Sequence, residues 1–141
     1  MTAAAVAGLV IDTSALLAIL KVEPEALAFL GCLAGPGPRR LSTATLLESR
    51  IVVERQLGRP GQAELDLLLS RAQITPVPLD DLHVHWALEG WRRYGKGRHP
   101  AGLNLGDCFS YGLAKALQAP LLFKGTDFAA TDLDVAVISL G

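Results

Sequence analysis

Four acidic residues lie at positions where a folded α/β chain brings side chains together. Asp12 and Asp127 each come soon after a short apolar run of the kind that forms a buried parallel strand. Glu48 and Asp107 lie in segments that are predicted to be helical. Because ligands bind at the carboxyl ends of parallel strands, we expect the four carboxylates to share one edge of a sheet.

Such a cluster predicts a metal site. Two carboxylates about 4 Å apart repel each other by about 4 kcal/mol at an effective dielectric constant of about 20, so four of them need cations or shared protons. Oxygen ligands suit Mg²⁺ or Mn²⁺, whose octahedral shell is completed by water and phosphate oxygens. The four acids are therefore candidate ligands of a divalent cation.

Each acid also has a purely structural explanation. Asp12 could cap the helix that follows it, and Asp127 could belong to a turn. Asp107 lies three residues after Asn104, as in a capping box. Glu48 lies among apolar residues of its helix, where a lone carboxylate is costly, and its alternative partner is a distant arginine.

Alternating strands and helices must position these acids. Short apolar runs separated by capping and helix-breaking residues predict an α/β fold, with a parallel sheet covered by helices on both faces. The predicted strands are residues 9–11, 40–42, 74–79, 121–123 and 135–138. The predicted helices are residues 15–21, 24–34, 43–57, 61–72, 80–94 and 104–118, and residues 124–133 are predicted to form a structured turn.

Length and composition limit the class of protein. The chain has 141 residues, which suits one domain with its own core. Hydrophobic residues make up 50% of the chain and charged residues 19%, which excludes a wholly disordered protein. A net charge of −1 argues against a protein that coats nucleic acid with a uniformly basic surface.

The sequence also indicates a compartment. The longest apolar run, residues 3–11, is too short to span a membrane, and the first residues lack the positive charges of a secretory signal. Cys32 and Cys108 are too few for a disulfide framework or a four-cysteine zinc site. We therefore expect buried thiols and a cytoplasmic protein.

Five motifs, in order along the chain, contain the acids. They are Val10-Ile11-Asp12-Thr13-Ser14-Ala15, the helical Glu48, Asn104-Leu105-Gly106-Asp107-Cys108, Leu122-Phe123-Lys124-Gly125-Thr126-Asp127-Phe128 and Thr131-Asp132. This ordered set resembles the PIN-domain ribonucleases, and most closely the VapC toxins of type II toxin–antitoxin systems. The resemblance covers essentially the whole chain.

The resemblance implies a fold and an activity. The fold is a PIN-like, three-layer α/β/α sandwich with a short central parallel sheet of four or five strands, and residues 1–141 form a single PIN domain. The activity is that of a toxic endoribonuclease that hydrolyses RNA phosphodiester bonds with Mg²⁺ or Mn²⁺. Family members are commonly homodimers, and a small VapB-like antitoxin holds them inactive.

The resemblance also assigns site residues position by position. Asp12, Glu48 and Asp107 are the core acids and Asp127 is the usual fourth, so these four are expected to bind the metal and to act in catalysis. Further groups would support them by contacting water or phosphate, or as an outer acid. These supporting residues are Thr13, Ser14, Thr126 and Asp132.

A basic, glycine-rich segment precedes Asp107. A solvated charge run is the usual explanation, but the place of this segment beside the third acid favours contact with the RNA backbone. Tyr94 or Trp91 could stack on a base, although we expect Trp91 to pack in the core. His83 and His85 lack zinc-ligand spacing with the acids, and we expect surface or RNA-contact roles for them. The expected RNA-binding residues are Arg92, Arg93, Lys96, Arg98 and His99.

The two predicted N-terminal helices are very apolar. One helical face would go to the core, and the surplus indicates a groove for an antitoxin helix or a dimer face. The alternative is that both helices are simply well buried. The residues concerned are Leu16, Leu17, Ile19, Leu20, Leu27, Phe29, Leu30 and Leu33.

Two other classes of function stay open. A phosphotransfer domain also uses strand-end aspartates and Mg²⁺, but its phosphatase form needs a second aspartate at the position of Ser14. A non-catalytic interaction module would keep the fold and act by binding, which the complete set of acids disfavours.

Overall fold

A parallel sheet lies at the centre of the computed structural model, which describes residues 8–136. Its strands are β1 (Leu9–Ile11), β2 (Arg39–Ser42), β3 (Ile74–Val77) and β4 (Leu121–Leu122). They lie in the order β3-β2-β1-β4, and each neighbouring pair is parallel. This sheet confirms the predicted α/β fold and places β1 next to β4.

Within residues 8–136, six α-helices connect and cover the strands. They are α1 (Thr13–Leu20), α2 (Ala26–Leu33), α3 (Thr43–Leu57), α4 (Pro60–Arg71), α5 (Asp81–Tyr94) and α6 (Leu105–Leu117), and a 3₁₀ turn covers Phe128–Ala130. Every helix lies within two residues of its predicted bounds. No helix in this part of the chain has both the length and the apolar character that crossing a lipid bilayer requires.

Helices cover both faces of the sheet. Leu9 and Ile11 of β1 pack into a buried cluster with α1, α2, α3 and α4. Val10, which lies between them, belongs to a second cluster with α5 and α6. Successive side chains of a strand point to opposite faces, so this alternation confirms the three-layer α/β/α arrangement.

Two predicted strands differ from the structure by more than one residue. β3 ends at Val77, earlier than predicted, because its partner Ser42 is the last residue of β2 and caps α3. At the last predicted strand, residues 135–138, Val135 makes an isolated parallel bridge with Leu121. Residues 137–138 of that prediction lie outside the described residues.

Burial corrects two expectations from the sequence. Cys108 is buried as predicted, but Cys32 is only partly buried. His83 is 4% exposed and was wrongly expected at the surface. It completes a capping box with Asp80 at the start of α5, which accounts for its burial. His85 is exposed, as expected.

Candidate active site

Asp12 follows β1 and is the N-cap residue of α1. Its Oδ2 atom accepts hydrogen bonds from the amide of Ser14 at 3.0 Å and from the Ser14 hydroxyl at 2.7 Å. Its Oδ1 atom accepts a hydrogen bond from the Ser110 hydroxyl of α6 at 2.5 Å. The predicted helix cap is therefore present, but the carboxylate also faces α6. Three donors hold this buried side chain at the carboxyl end of the central strand.

Glu48 projects from α3 towards the start of α1. Its Oε1 atom accepts a hydrogen bond from the Thr13 hydroxyl at 2.6 Å, and Thr13 Oγ1 lies 2.8 Å from Ser49 Oγ. Burial raises the pKa of Glu48, the Thr13 hydrogen bond opposes this rise, and the negative charge of Asp12 adds to it. Within residues 8–136, Glu48 forms no ion pair, so the alternative of a distant arginine partner is wrong.

Gly106 lets the first turn of α6 approach α3. A β-carbon at this position would overlap with the Glu48 carboxylate. The absence of a side chain therefore brings Glu48 against the turn that carries Asp107. Sequence reasoning did not single out Gly106. The available signal was a glycine inside the first turn of a predicted helix, which often marks a close approach.

Asp107 forms a capping box at the start of α6. Its Oδ2 atom accepts the Asn104 amide at 3.0 Å, and its own amide donates to Asn104 Oδ1 at 2.9 Å. Burial raises the pKa of Asp107 to about 6. The Asn104 hydrogen bond opposes the rise, and the charges of Asp12, Asp127 and Glu48 add to it. The other three predicted acids are thus close enough to Asp107 to act on it electrostatically.

Asp127 belongs to the loop that follows β4. The carboxylate is exposed, and it makes no capping hydrogen bond to the 3₁₀ turn that it precedes. The loop is tied to α1 because the amide of Lys124 donates to Ser14 Oγ at 2.9 Å. This contact brings the fourth acid to the same edge of the sheet as Asp12.

The types of ligand fit a hard divalent cation. Acids from three other segments, Asp12, Glu48 and Asp127, are near enough to Asp107 for their negative charges to raise its pKa. As placed, however, no three His, Cys, Asp or Glu side chains in residues 8–136 are arranged to hold a metal ion. Glu48 is turned towards Thr13 and Asp107 towards the Asn104 amide. Each of these donors contacts one oxygen of its carboxylate, Oε1 of Glu48 and Oδ2 of Asp107, so a shared cation would be bound through the other oxygen.

The predicted supporting residues separate into two groups. Thr13 and Ser14 contact Glu48 and Asp12 directly, as described above. Thr126 is exposed, and its carbonyl oxygen accepts the Ala129 amide at 3.2 Å. Thr13 and Ser14 are therefore the supporting residues that hydrogen bonds connect to the acids.

Asp132 contacts α5 and α6. It accepts hydrogen bonds from the Tyr111 hydroxyl at 2.7 Å and from Lys115 Nζ at 2.9 Å, and Arg93 lies 3.6 Å away. Burial raises the pKa of Asp132, but the hydrogen bonds from Lys115 and Tyr111 and the nearby positive charges hold it below its usual value. These contacts fasten the segment after the 3₁₀ turn to the helices.

The predicted RNA-binding residues lie at the end of α5 and in the loop that follows. Arg92 pairs with Glu89 at 2.9 Å, and Arg93 lies near Asp132. Both arginine side chains are 56% exposed. Lys96 is exposed, and His99 is held in place because its Nδ1 atom accepts the Ala101 amide at 3.0 Å.

Trp91 is not a core residue, contrary to expectation. It is 41% exposed, and the guanidinium carbon of Arg98 lies 4.1 Å from the centre of its ring. Tyr94, one turn further along α5, is the buried aromatic residue. The apolar side of α5 that carries Trp91 therefore faces outward.

An apolar groove lies between α5 and α6. It has a volume of about 440 Å³ and reaches Asn104, the residue that caps α6. Val84, Leu88 and Trp91 line it at helical spacing and are 50%, 42% and 41% exposed. Leu105 of α6 also lines it and is 72% exposed.

A second apolar groove lies between α2 and α4. It has a volume of about 470 Å³, and Leu30, Leu33, Leu67 and Leu68 line it. Phe29 and Leu33 of α2 are buried, whereas Leu27 is 83% exposed and Leu30 is 40% exposed. The alternative that both N-terminal helices are simply well buried is therefore wrong for α2.

The chain has counterparts among known proteins. A family model described as the PIN domain matches residues 9–133. The chain is 54% identical over 125 residues to a protein named Ribonuclease VapC from Mycolicibacterium smegmatis, with 89% of this chain and 97% of the relative covered.

Solved structures agree in fold. The chain is similar to VapC20 of Mycobacterium tuberculosis, described as a sarcin–ricin loop cleaving toxin, with a TM-score of 0.73, 16% identity, and 93% and 99% of the two chains covered. It is also similar to VapBC2 of Rickettsia felis bound to a promoter DNA fragment, with a TM-score of 0.72, 20% identity, and 93% and 98% covered. The chain belongs to the PIN-domain family and, within that family, to the VapC ribonucleases.

Proposed function

We propose that this chain is the toxic component of a type II toxin–antitoxin system and cleaves RNA as an endoribonuclease. VapC ribonucleases of the PIN family generally depend on divalent metal ions, and we propose Mg²⁺ or Mn²⁺ here. The observation that supports this proposal is the approach of acids from separate segments to α6: Asp12 accepts a hydrogen bond from Ser110, and Glu48 lies against Gly106, next to Asp107. We propose that these acids, Asp12, Glu48, Asp107 and Asp127, are the metal ligands and the catalytic residues.

The hydrogen bonds of the acids suit distinct roles. When bound, a divalent cation would polarise the phosphoryl oxygen and lower the pKa of the attacking water. Ser14 and Ser110 orient Asp12, and Thr13 orients Glu48. Because burial raises the pKa of Glu48, this side chain is suited to accept the proton of the attacking water.

The basic segment after α5 supplies contacts to the RNA backbone in this proposal. Its surface ion pairs are weak, so RNA phosphates can replace Glu89 and Asp132 as partners of the two arginines. Arginine also suits this role because its guanidinium binds phosphate through two parallel hydrogen bonds. The proposed contacts are Arg92, Arg93, Lys96, Arg98 and His99.

Cleavage of a labelled RNA tests the activity. The protein should cut internally with Mg²⁺ or Mn²⁺ and not in EDTA, and Asp12→Asn should lower the rate by on the order of 100-fold or more. Asp66→Asn is the matched control, because Asp66 is an exposed residue of α4 that pairs with Arg50. Equal cleavage by Asp12→Asn would overturn the proposed site. RNA binding without cleavage would favour the non-catalytic interaction module instead.

We propose that the groove between α2 and α4 receives a helix of a VapB-like antitoxin. The groove is lined by leucines, and Glu64 and Arg71 of α4 also line it. An amphipathic helix fits such a groove through apolar side chains at i, i+3 and i+4 spacing. If this holds, expression of the chain alone should arrest growth, and co-expression of the antitoxin should relieve the arrest.

We further propose that the chain forms a homodimer through the face of α5 and α6. Acidic residues begin α5 and basic residues end it, so antiparallel packing of two copies pairs opposite charges. With the two-fold axis near Leu88, Trp91 of one copy would lie against Val84 of the other. The exposed apolar stripe would then be buried.

We propose that residues 1–141 form a single PIN domain that acts in the cytoplasm. The family match spans residues 9–133, which is most of the chain. A cytoplasmic site of action suits an RNA substrate and a chain with two cysteines. The phosphotransfer alternative gains no support, because Ser14 occupies the position of the second aspartate and its hydroxyl donates to Asp12.

A further inference from the structure

Lys124 connects the loop after β4 to the turn between α1 and α2. Its Nζ atom pairs with the carboxylates of Glu23 and Glu25, the second at 3.1 Å. The side chains of Lys124, Glu23 and Glu25 are 36%, 26% and 20% exposed, so the contact is partly shielded from water. The hydrogen bond between Lys124 and Glu23 raises the pKa of the lysine and lowers that of the glutamate.

The backbone of Lys124 contacts the acid cluster. Its amide donates to Ser14 Oγ at 2.9 Å, and the Ser14 hydroxyl donates to Asp12 Oδ2 at 2.7 Å. A single residue thus touches both the α1–α2 turn and the hydrogen bonds that orient Asp12. A shift of Lys124 would therefore disturb Asp12 through Ser14.

The position of Asp127 depends on this same loop. After Asp127 the loop is fixed by Phe128, which is buried and packs edge-on against Phe123 with ring centres 5.1 Å apart. Before Asp127 lies Gly125, whose φ of +107° is a conformation that glycine adopts freely. Before Asp127, the residue that holds the loop in place is therefore Lys124.

We infer that Lys124 is a positioning residue, whose ion pairs with Glu23 and Glu25 hold the loop that carries Asp127 beside Asp12. An isolated surface ion pair contributes little, but an ammonium group shared by two carboxylates forms a small network. The inference rests on the proposed metal site, because its functional consequence is the placement of a metal ligand.

Hydrogen exchange and Mn²⁺ binding test this inference together. Lys124→Met should speed exchange of the amides of residues 124–127 and weaken Mn²⁺ binding, measured by calorimetry, on the order of 10-fold. The double variant Glu23→Gln, Glu25→Gln should do the same, and adding Lys124→Met to it should change little more. Lys124→Arg should restore both properties. Arg55→Met is the control, because it removes an exposed positive charge in the last turn of α3 and should change neither.

The outcomes separate this inference from the proposed function. Faster exchange in residues 124–127 with unchanged Mn²⁺ affinity would overturn the positioning role. Unchanged exchange in Lys124→Met would also overturn it. Failure of the unaltered protein to bind Mn²⁺ would instead overturn the metal site on which the inference rests.

Discussion

Asp107 has both a structural and an electrostatic role. It completes the capping box with Asn104, and burial together with the charges of three other acids raises its pKa to about 6. The folded chain therefore binds a proton at Asp107 more tightly than the unfolded chain does. Without a cation, the charged form of this side chain lowers the stability of the protein at neutral pH.

Asp107→Asn should stabilise the metal-free protein. At pH above about 7 the free energy of unfolding should rise by about 1 kcal/mol, because the variant removes a charge that the fold disfavours. The folded-state pKa is raised, so the gain should be absent below about pH 3.8, grow as pH rises from 3.8 to about 6, and stay constant above that. Urea unfolding in EDTA at several pH values measures it. The control is Asp66→Asn, an exposed position of α4, and a gain independent of pH would contradict the assignment.

The same variant should lose activity. Asp107→Asn removes one negative charge from the proposed metal site, so the cleavage rate at saturating RNA should fall by on the order of 100-fold. Raising the Mg²⁺ concentration should recover part of this loss. Single-turnover cleavage at several Mg²⁺ concentrations checks the expectation. Full activity in a normally folded variant would reduce Asp107 to a helix cap.

The contact between α3 and α6 joins two elements at the site. Gly106→Ala places a methyl group on the Glu48 carboxylate, which can rotate away because it is the end of a flexible side chain. The gain in helix propensity and the loss of the Thr13 hydrogen bond are each about 1 kcal/mol, so stability should change by less than about 1 kcal/mol. Cleavage should nevertheless fall by about 10-fold or more, because Glu48 is displaced.

The matched control for Gly106→Ala is Gly31→Ala. Gly31 lies in α2, and a β-carbon built there meets nothing within 4 Å beyond the nearby chain of its own helix. This variant should keep full cleavage activity and gain about 1 kcal/mol of stability from helix propensity. Thermal unfolding and cleavage of both variants separate a local effect at Glu48 from a general effect of alanine. Equal activity of the two variants would contradict the proposed role of Glu48.

Most elements could be predicted because local signals mark their ends. Ser42 caps α3 and Gly58, at φ +70°, ends it, so the predicted and observed bounds of that helix are the same. Because the predicted strands are parallel and both acids follow a strand, Asp12 and Asp127 could be expected at the same edge of the sheet. The rotamers of the acids and the overlap at Gly106 depend on packing between distant segments, which local patterns do not contain.

The wrong prediction that Trp91 packs in the core has a different origin. Helical periodicity identifies an apolar stripe, but it does not state whether that stripe faces the core or the outside. In α5 the buried positions His83, Gly90 and Tyr94 follow one stripe, while Val84, Leu88 and Trp91 follow another. Only the packing of α5 against α6 decides which of these two stripes is buried.

At the scale of the whole molecule, the two grooves lie on opposite faces of the sheet, one with α2 and α4 and one with α5 and α6. Leu88→Asp should therefore give a monomer in light scattering and still bind the antitoxin. Leu67→Asp should keep the dimer and weaken antitoxin binding by on the order of 10-fold or more. Each variant is the control for the other, since both replace an exposed leucine. Loss of both interactions in either variant would contradict separate surfaces.

The basic segment after α5 should determine the affinity of the protein for RNA and the salt dependence of that affinity. Lys96→Ala and Arg98→Ala should weaken RNA binding and lower its salt dependence by about one unit of slope per lost phosphate contact. Cleavage at saturating RNA should stay near that of the parent, because the acids are unchanged. RNA affinity at several salt concentrations checks this expectation, with Arg50→Ala in α3 as the control. An unchanged slope would show that the segment is only solvated.

The separation of the two grooves has a consequence for duplicated genes. A copy of this gene can change the leucines of α2 and α4 to match a new antitoxin without altering the helices proposed for self-association. Related pairs in one cell can thereby become insulated from one another while every toxin keeps the same assembly. Selection for toxin–antitoxin pairs that do not cross-react would then produce sequence variability in the helices on one side of the sheet.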